Sequence, residues 1–216
     1  MNAAVKNKWR LAQFFEILWW KRFLKDKSIE EYRTYKLLYW EDFLRKSQLD
    51  ILPGMQVLDA GCGPAGIFMA LKDVSITAFD PLLDKYESSI DHFKSSDWPH
   101  VRFFQSMLEN FDAKEKYDIT FCINAINHVS DLTKSIQVLV DGTKHKGKLV
   151  VSIDAHNHGV LKTIFRAIPG DVLHPHQLSL EDYVQMFVER GCKLDRTMVL
   201  KSEFIFNYYL LVLTKN

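Results

Sequence analysis

Cysteine, proline and glycine are all scarce in this chain, with 3, 6 and 9 copies among 216 residues, and each scarcity removes a class of protein. Cys62, Cys122 and Cys192 are odd in number and have no paired spacing, which excludes a disulfide framework and a multi-cysteine zinc site. Reduced thiols of this kind are expected in the cytoplasm. Few Pro and Gly beside 47% hydrophobic and 25% charged residues exclude a collagen-like or low-complexity chain and describe a globular one. Charge of one sign is missing too: the net charge of +1 supplies no broad field for a polyanion, so nucleic acid is not expected as a partner. Long hydrophobic runs are absent. The apolar stretch near the amino terminus is cut by Glu16, Lys21 and Arg22 before it reaches the roughly 20 residues of a membrane span, so neither a signal peptide nor a transmembrane helix is predicted.

What is present divides into residues 1–52 and 53–216. The first segment is helical and aromatic, with Trp9, Trp19, Trp20 and Trp40 and no Gly or Pro before Pro53-Gly54. Leu11, Phe14, Phe15 and Leu18 recur at helical spacing, and a second helix carrying Tyr32, Tyr35, Tyr39 and Phe43 is predicted after Ser28 as its N-cap. From Met55 onward, β-like runs alternate with helical ones: Met55–Ala60, Val74–Asp80, Val101–Gln105, Tyr117–Ile123 and Lys148–Asp154, with helices over Leu83–Phe93 and Leu132–His145. That alternation predicts an α/β fold around a mostly parallel sheet. After a helix at Leu180–Arg190, the runs Lys193–Lys201 and Phe204–Thr214 are joined so tightly that they must pair antiparallel.

The most informative local motif is Val57-Leu58-Asp59-Ala60-Gly61-Cys62-Gly63-Pro64-Ala65-Gly66, a strand running into a glycine loop that is expected to open a helix. Gly61, Gly63 and Gly66 satisfy G-x-G-x-x-G, and Asp80 ends the next strand as a ribose-binding carboxylate does. Nicotinamide-dependent oxidoreductases share this pattern. A pyrophosphate, however, needs backbone N–H donors and no adjacent anion, whereas Asp59 places a carboxylate at the loop and Pro64 removes an N–H. A carboxylate there suits a cationic amino group.

On these residues the chain resembles the class I S-adenosylmethionine-dependent methyltransferases, particularly the small-molecule group related to quinone and natural-product enzymes. Asp59-Ala60-Gly61-Cys62-Gly63 resembles the family's first motif and Asp80-Pro81-Leu82 its ribose-binding loop. The stretch from Tyr117 to Val129 resembles its fourth strand and the turn beside the transfer site, and the terminal hairpin its reversed last strand. The resemblance implies a Rossmann-like seven-stranded sheet, mostly parallel with an antiparallel last strand. It also implies S-adenosyl-L-methionine as cofactor and a small, largely apolar or aromatic acceptor. Asp59, Ala60, Gly61, Cys62, Gly63, Asp80 and Pro81 are its implied cofactor contacts, with Asn124 and Ala125 from the later turn. After the third strand the family often has an acidic residue facing adenine; here Gln105-Ser106-Met107-Leu108-Glu109 stands instead, leaving Met107 and Leu108 to pack on the ring.

Methyl transfer from a sulfonium needs positioning and water exclusion, with a general base only if the acceptor must lose a proton. His128, just beyond the fourth strand at the carboxyl edge where such folds bind ligands, is the first candidate base; a structural role in the loop is the alternative. His174 and His176 precede the helix at Leu180, for which Ser179 is the expected N-cap, and are further candidates. Asp154, His156 and His158 do not make a recognisable ligand set, so no metal is predicted. Residues 1–28 are basic and aromatic. Three roles stay open for them: a lid over the acceptor, plain packing against the domain, or peripheral contact with an anionic membrane, with a homodimer interface as a further use. The competing functions are an oxidoreductase, a methyltransferase acting on a macromolecule, and a non-enzymatic S-adenosylmethionine-binding protein of the same fold.

Overall fold

The computed structural model describes residues 3–156, 178–202 and 206–216. It contains a seven-stranded sheet, mostly parallel in its first strands and antiparallel in its last ones. The chain divides into two compact units, residues 1–107 and 108–216.

In the first unit, helices α1 (Ala3–Leu24) and α2 (Ile29–Ser47) lead into β1 (Gln56–Ala60), β2 (Ser75–Asp80), α3 (Leu83–Ser89) and β3 (Val101–Gln105). The three strands are parallel in the order β3-β2-β1, with Ala60 opposite Phe79 and Asp80 opposite Gln105. Val57 to Ala60 and Ile76 to Asp80 are buried without interruption, as strands covered on both faces must be. Ser28 caps α2 as expected: its hydroxyl accepts from the Glu31 N–H while the Glu31 carboxylate accepts from the Ser28 N–H.

Two expectations fail here. The glycine loop opens no α-helix, only a 3₁₀ turn at Ile67–Met69, because the apolar run ends at Leu71 and Asp73, at φ +58, turns the chain into β2. Helix α3 stops at Ser89 instead of Phe93 because Ile90 turns extended, which buries Ile90 and Phe93.

In the second unit, β4 (Tyr117–Cys122), α4 (Leu132–Gly142), β5 (Thr143–His156), α5 (Leu180–Val188), β6 (Cys192–Ser202) and β7 (Phe206–Lys215) follow in turn. Strand β4 is parallel to β5, and β7 runs antiparallel to both β5 and β6. Helix α4 ends three residues before the expected His145, as Thr143 starts a strand much longer than Lys148–Asp154. Gly147 makes that start possible: a Cβ there would lie 2.8 Å from the Thr143 methyl and 2.9 Å from the Lys144 carbonyl. Ser179 caps α5 as expected, in a capping box with Asp182.

Candidate functional site

The first unit gathers its polar groups at the carboxyl end of β1. Gly61 and Gly63 adopt φ +72 and +55, the left-handed region that glycine enters without cost. The turn they make lets the Gly61 and Cys62 N–H groups donate to the Phe79 carbonyl at 2.8 and 3.0 Å, fastening the loop to β2. Asp80 ties the same loop to the next turn. Its carboxylate accepts from the Gly63 N–H at 3.1 Å and from the Leu82 N–H at 2.8 Å, across half-buried Pro81. Asp59 points inward from β1 and accepts from the Phe68 N–H at 3.2 Å, with the Ile67 N–H also bonded, so it caps the 3₁₀ turn. Ala60 and Cys62 are buried beside it.

Burial sets the charge state of this cluster. Asp59 and Asp80 are 2% and 7% exposed, and removal from water pushes each carboxyl up to about 7. For Asp80 the nearby Glu16 carboxylate adds to that rise, while the Leu82 and Gly63 N–H groups oppose it. The same burial raises the Cys62 thiol, which is therefore an inert packing group. Lys36 of α2 is lowered to about 8 by burial, with Asp59 opposing the shift. Its ammonium lies 4.9 Å from the ring centroids of both Tyr39 and Trp40, and the Trp40 indole N–H donates to the Ala65 carbonyl of the loop at 2.9 Å. From α1, Glu16 accepts from the Tyr86 hydroxyl and Gln13 accepts from Lys85 at 3.5 Å, while the buried Gln13 Nε2 has no partner among the described residues. Lys36, Glu16 and Gln13 escaped the sequence reading; the one signal for Lys36 is a cation set within an aromatic stripe.

In the second unit, β4 delivers Asn124 at φ +53, a conformation that asparagine tolerates better than most residues. The Asn124 N–H donates to the Ser152 hydroxyl at 2.6 Å, itself 2.6 Å from the Tyr208 hydroxyl. Ala125 is half-buried, and a 3₁₀ turn follows over Ile126–His128. His128 is exposed at the end of that turn. The buried polar group is its neighbour: Asn127 donates to the Asp154 carbonyl and the Tyr183 hydroxyl, each at 3.1 Å, locking the β4 loop to β5 and α5. Met107 is half-buried and Leu108 buried. Glu109 holds the start of α4: one carboxylate oxygen accepts from the Ser130 N–H and hydroxyl, both at 2.7 Å, and from the Asp131 N–H at 3.1 Å. His158, His174 and His176 lie outside the described residues.

Residues 51–169 match the family described as a methyltransferase domain, and the chain belongs to that family. Among curated relatives, the ubiquinone biosynthesis O-methyltransferase of Rickettsia akari (strain Hartford) is 27% identical over 150 residues, covering 68% of this chain. The matched part spans 59% of that relative's length. The fold recurs in the 1,6-didemethyltoxoflavin-N1-methyltransferase of Burkholderia thailandensis, solved with S-adenosylhomocysteine. That likeness has a TM-score of 0.64 and 12% identity, and covers 100% of this chain and 92% of that one. It recurs also in the (4+2)-cyclase SpnF, with a TM-score of 0.66 and 13% identity over 83% of this chain and 80% of that one. These likenesses concern the fold, which by itself does not determine chemistry.

Proposed function

We propose that this chain is a cytoplasmic enzyme that binds S-adenosylmethionine at the loop following β1 and transfers its methyl group to a small, largely apolar or aromatic acceptor. The observation that carries the reading is the Asp80 carboxylate, joined to Gly63 at one oxygen and Leu82 at the other. One side chain thereby couples the glycine loop to the turn that would receive a ribose. The loop fits an adenosyl ligand: among the described residues no atom lies within 4 Å of the position a Cβ on Gly63 would take, so a ligand can approach the backbone. The buried Asp59 carboxyl and the N–H missing at Pro64 make the same place unfavourable for a pyrophosphate, which disfavours the oxidoreductase alternative.

In this reading Asp80 accepts from the ribose hydroxyls, and Asp59 to Gly63 surround the methionine end. Pro81, Met107 and Leu108 pack about the adenine, and Asn124 and Ala125 border the transfer site. S-adenosylmethionine supplies a methyl group already activated on sulfur. The protein's part is to position the acceptor, exclude water and, where the acceptor carries a proton, remove it. The name of the curated relative favours an oxygen acceptor. His128, with the exposed ring this task needs, remains the candidate base, alongside His174 and His176. Cys62, Cys122 and Cys192, all buried and none in a disulfide, support the cytoplasmic assignment, and among the described residues no helix is long and apolar enough to cross a membrane. Residues 1–52 act as a lid, a role supported by the contacts of Gln13 and Glu16 with Lys85 and Tyr86 of α3.

Transfer of labelled methyl from S-adenosylmethionine to a panel of hydroxylated apolar aromatics tests the activity. His128→Ala should reduce turnover by about a hundredfold or more while S-adenosylhomocysteine affinity stays within twofold. Near-normal turnover would leave His128 a loop residue.

The raised carboxyls predict a pH dependence of binding. The folded protein holds the Asp59 and Asp80 protons more tightly than the unfolded chain, so these groups make stability fall as pH rises from about 4 to about 7. Ribose hydroxyls and a cationic ligand need the ionised carboxylates, so ligand affinity runs the opposite way. Calorimetric titration with S-adenosylhomocysteine should show affinity rising from pH 6 to pH 8 by about tenfold for each carboxylate that must ionise, about a hundredfold for both, and levelling above, with proton release on binding. A flat profile would contradict this.

A further inference from the structure

We infer that the outward face of α1 docks on an anionic lipid bilayer. Helix α1 is apolar on two sides. On the inner side Leu24 is buried, and Trp20 and Phe23 lie within 6.2 to 6.5 Å, centroid to centroid, of Tyr32 or Tyr86. On the outer side Phe14, Phe15, Leu18 and Trp19 are 56%, 52%, 45% and 54% exposed. Scattered exposed apolar residues are ordinary, but four large ones on one helix face form a patch that calls for a partner.

The charges beside the patch select that partner. At about 3.6 residues per turn, the arc holding Phe14, Phe15, Leu18 and Trp19 also holds Arg22, with Lys21 at its edge, and exposed Lys25, Asp26 and Lys27 follow just past the last helical residue, Leu24. Glu16, the acidic residue of this stretch of helix, lies on the inner side with its carboxylate on the Tyr86 hydroxyl. The outer face is therefore aromatic and cationic together. Packed against a second copy across a twofold axis, it would bring like charges opposite one another at an apolar contact, which disfavours self-association. Against an anionic bilayer the same charges become attractive while the rings enter the headgroup boundary, and a helix of this kind lies on the membrane without spanning it. This inference stands apart from the methyl-transfer reading. It does, however, give that reading a route by which a lipid-soluble acceptor arrives.

Sedimentation of the full chain with vesicles tests it. The protein should bind phosphatidylcholine vesicles that contain phosphatidylserine at least tenfold more tightly than phosphatidylcholine alone, and salt should weaken the binding. Phe15→Ser combined with Leu18→Ser should lower the affinity about tenfold or more. Arg22→Glu combined with Lys25→Glu should abolish the preference for phosphatidylserine, since each cation near the surface is worth about fivefold. All four positions are exposed, so thermal midpoints should stay close to that of the parent. Absence of binding to the anionic vesicles would overturn the proposal, as would binding that both double variants leave intact. A dimer in sedimentation velocity that Phe15→Ser and Leu18→Ser dissociate would also overturn it by assigning the face to a second copy. Loss of methyl transfer with vesicle binding retained would count against the proposed function and leave this inference standing.

Discussion

Replacing Gly66 with alanine should lower the thermal midpoint by about 2 to 12 °C and abolish S-adenosylhomocysteine binding. The backbone at Gly66, φ −78 and ψ −177, suits any residue, so the constraint is space. A Cβ would stand 2.3 Å from the Asp59 carboxylate, 2.7 Å from the Cys62 carbonyl and 3.0 Å from the Cys62 Cβ. Asp59 cannot swing aside cheaply, because it is buried and caps the 3₁₀ turn through Phe68. Relief must come from moving the loop that carries Gly61 to Gly63. Overpacking of this kind costs about 1 to 3 kcal/mol, and each kcal/mol moves the midpoint of a chain this size by about 2 to 4 °C. An unchanged midpoint with normal ligand affinity would show that the loop can absorb the methyl group, and would remove Gly66 from the argument.

Asp80→Ala should weaken S-adenosylhomocysteine binding by about a hundredfold or more, measured by calorimetric titration. Two losses combine. The proposed ribose acceptor disappears, and the Gly63 and Leu82 N–H groups lose a buried partner, at about 1 to 3 kcal/mol for each group left unsatisfied. The second loss loosens the loop as well as the nucleoside end, so the effect should exceed that of a single missing hydrogen bond. Affinity within threefold of the parent would place the ribose elsewhere.

What could be read from the sequence follows from how local each feature is. Strands β1 and β2 declare themselves by continuous burial-type composition, and Ser28 and Ser179 by capping chemistry that is complete within four residues. The Gly61–Gly63 turn requires glycine at fixed positions, and Asp80 falls where β2 ends, so the loop and its carboxylate were legible together. What depends on distant partners was not. The apolar run after Gly66 has the composition of a helix start, yet it is stopped by the turn at Asp73. Phe14, Phe15 and Leu18 keep helical spacing, which leaves lid, packing and membrane contact all open, because α1 has a second apolar side and only the presence of α2 and α3 decides which one is covered. His128 attracts notice by its chemistry, whereas the buried hydrogen bonds belong to Asn127, whose partners Asp154 and Tyr183 are far away in sequence. Glu109 closes the stretch that stands where the family often has an adenine-facing acid, and nothing local shows that its carboxylate binds the start of α4. Lys36 sits at an unremarkable helix position, and folding alone brings its charge to Asp59.

The central claim is that the loop between β1 and β2 holds an adenosyl sulfonium cofactor and not a dinucleotide. The thermal unfolding midpoint of the purified chain, with S-adenosylmethionine, S-adenosylhomocysteine or a nicotinamide dinucleotide in excess, tests it most directly. A ligand at about a hundred times its Kd adds about 2.7 kcal/mol to stability, enough to raise the midpoint by several degrees. A rise with the two adenosyl ligands and none with the dinucleotides is the predicted result; a rise with a dinucleotide alone would contradict the account.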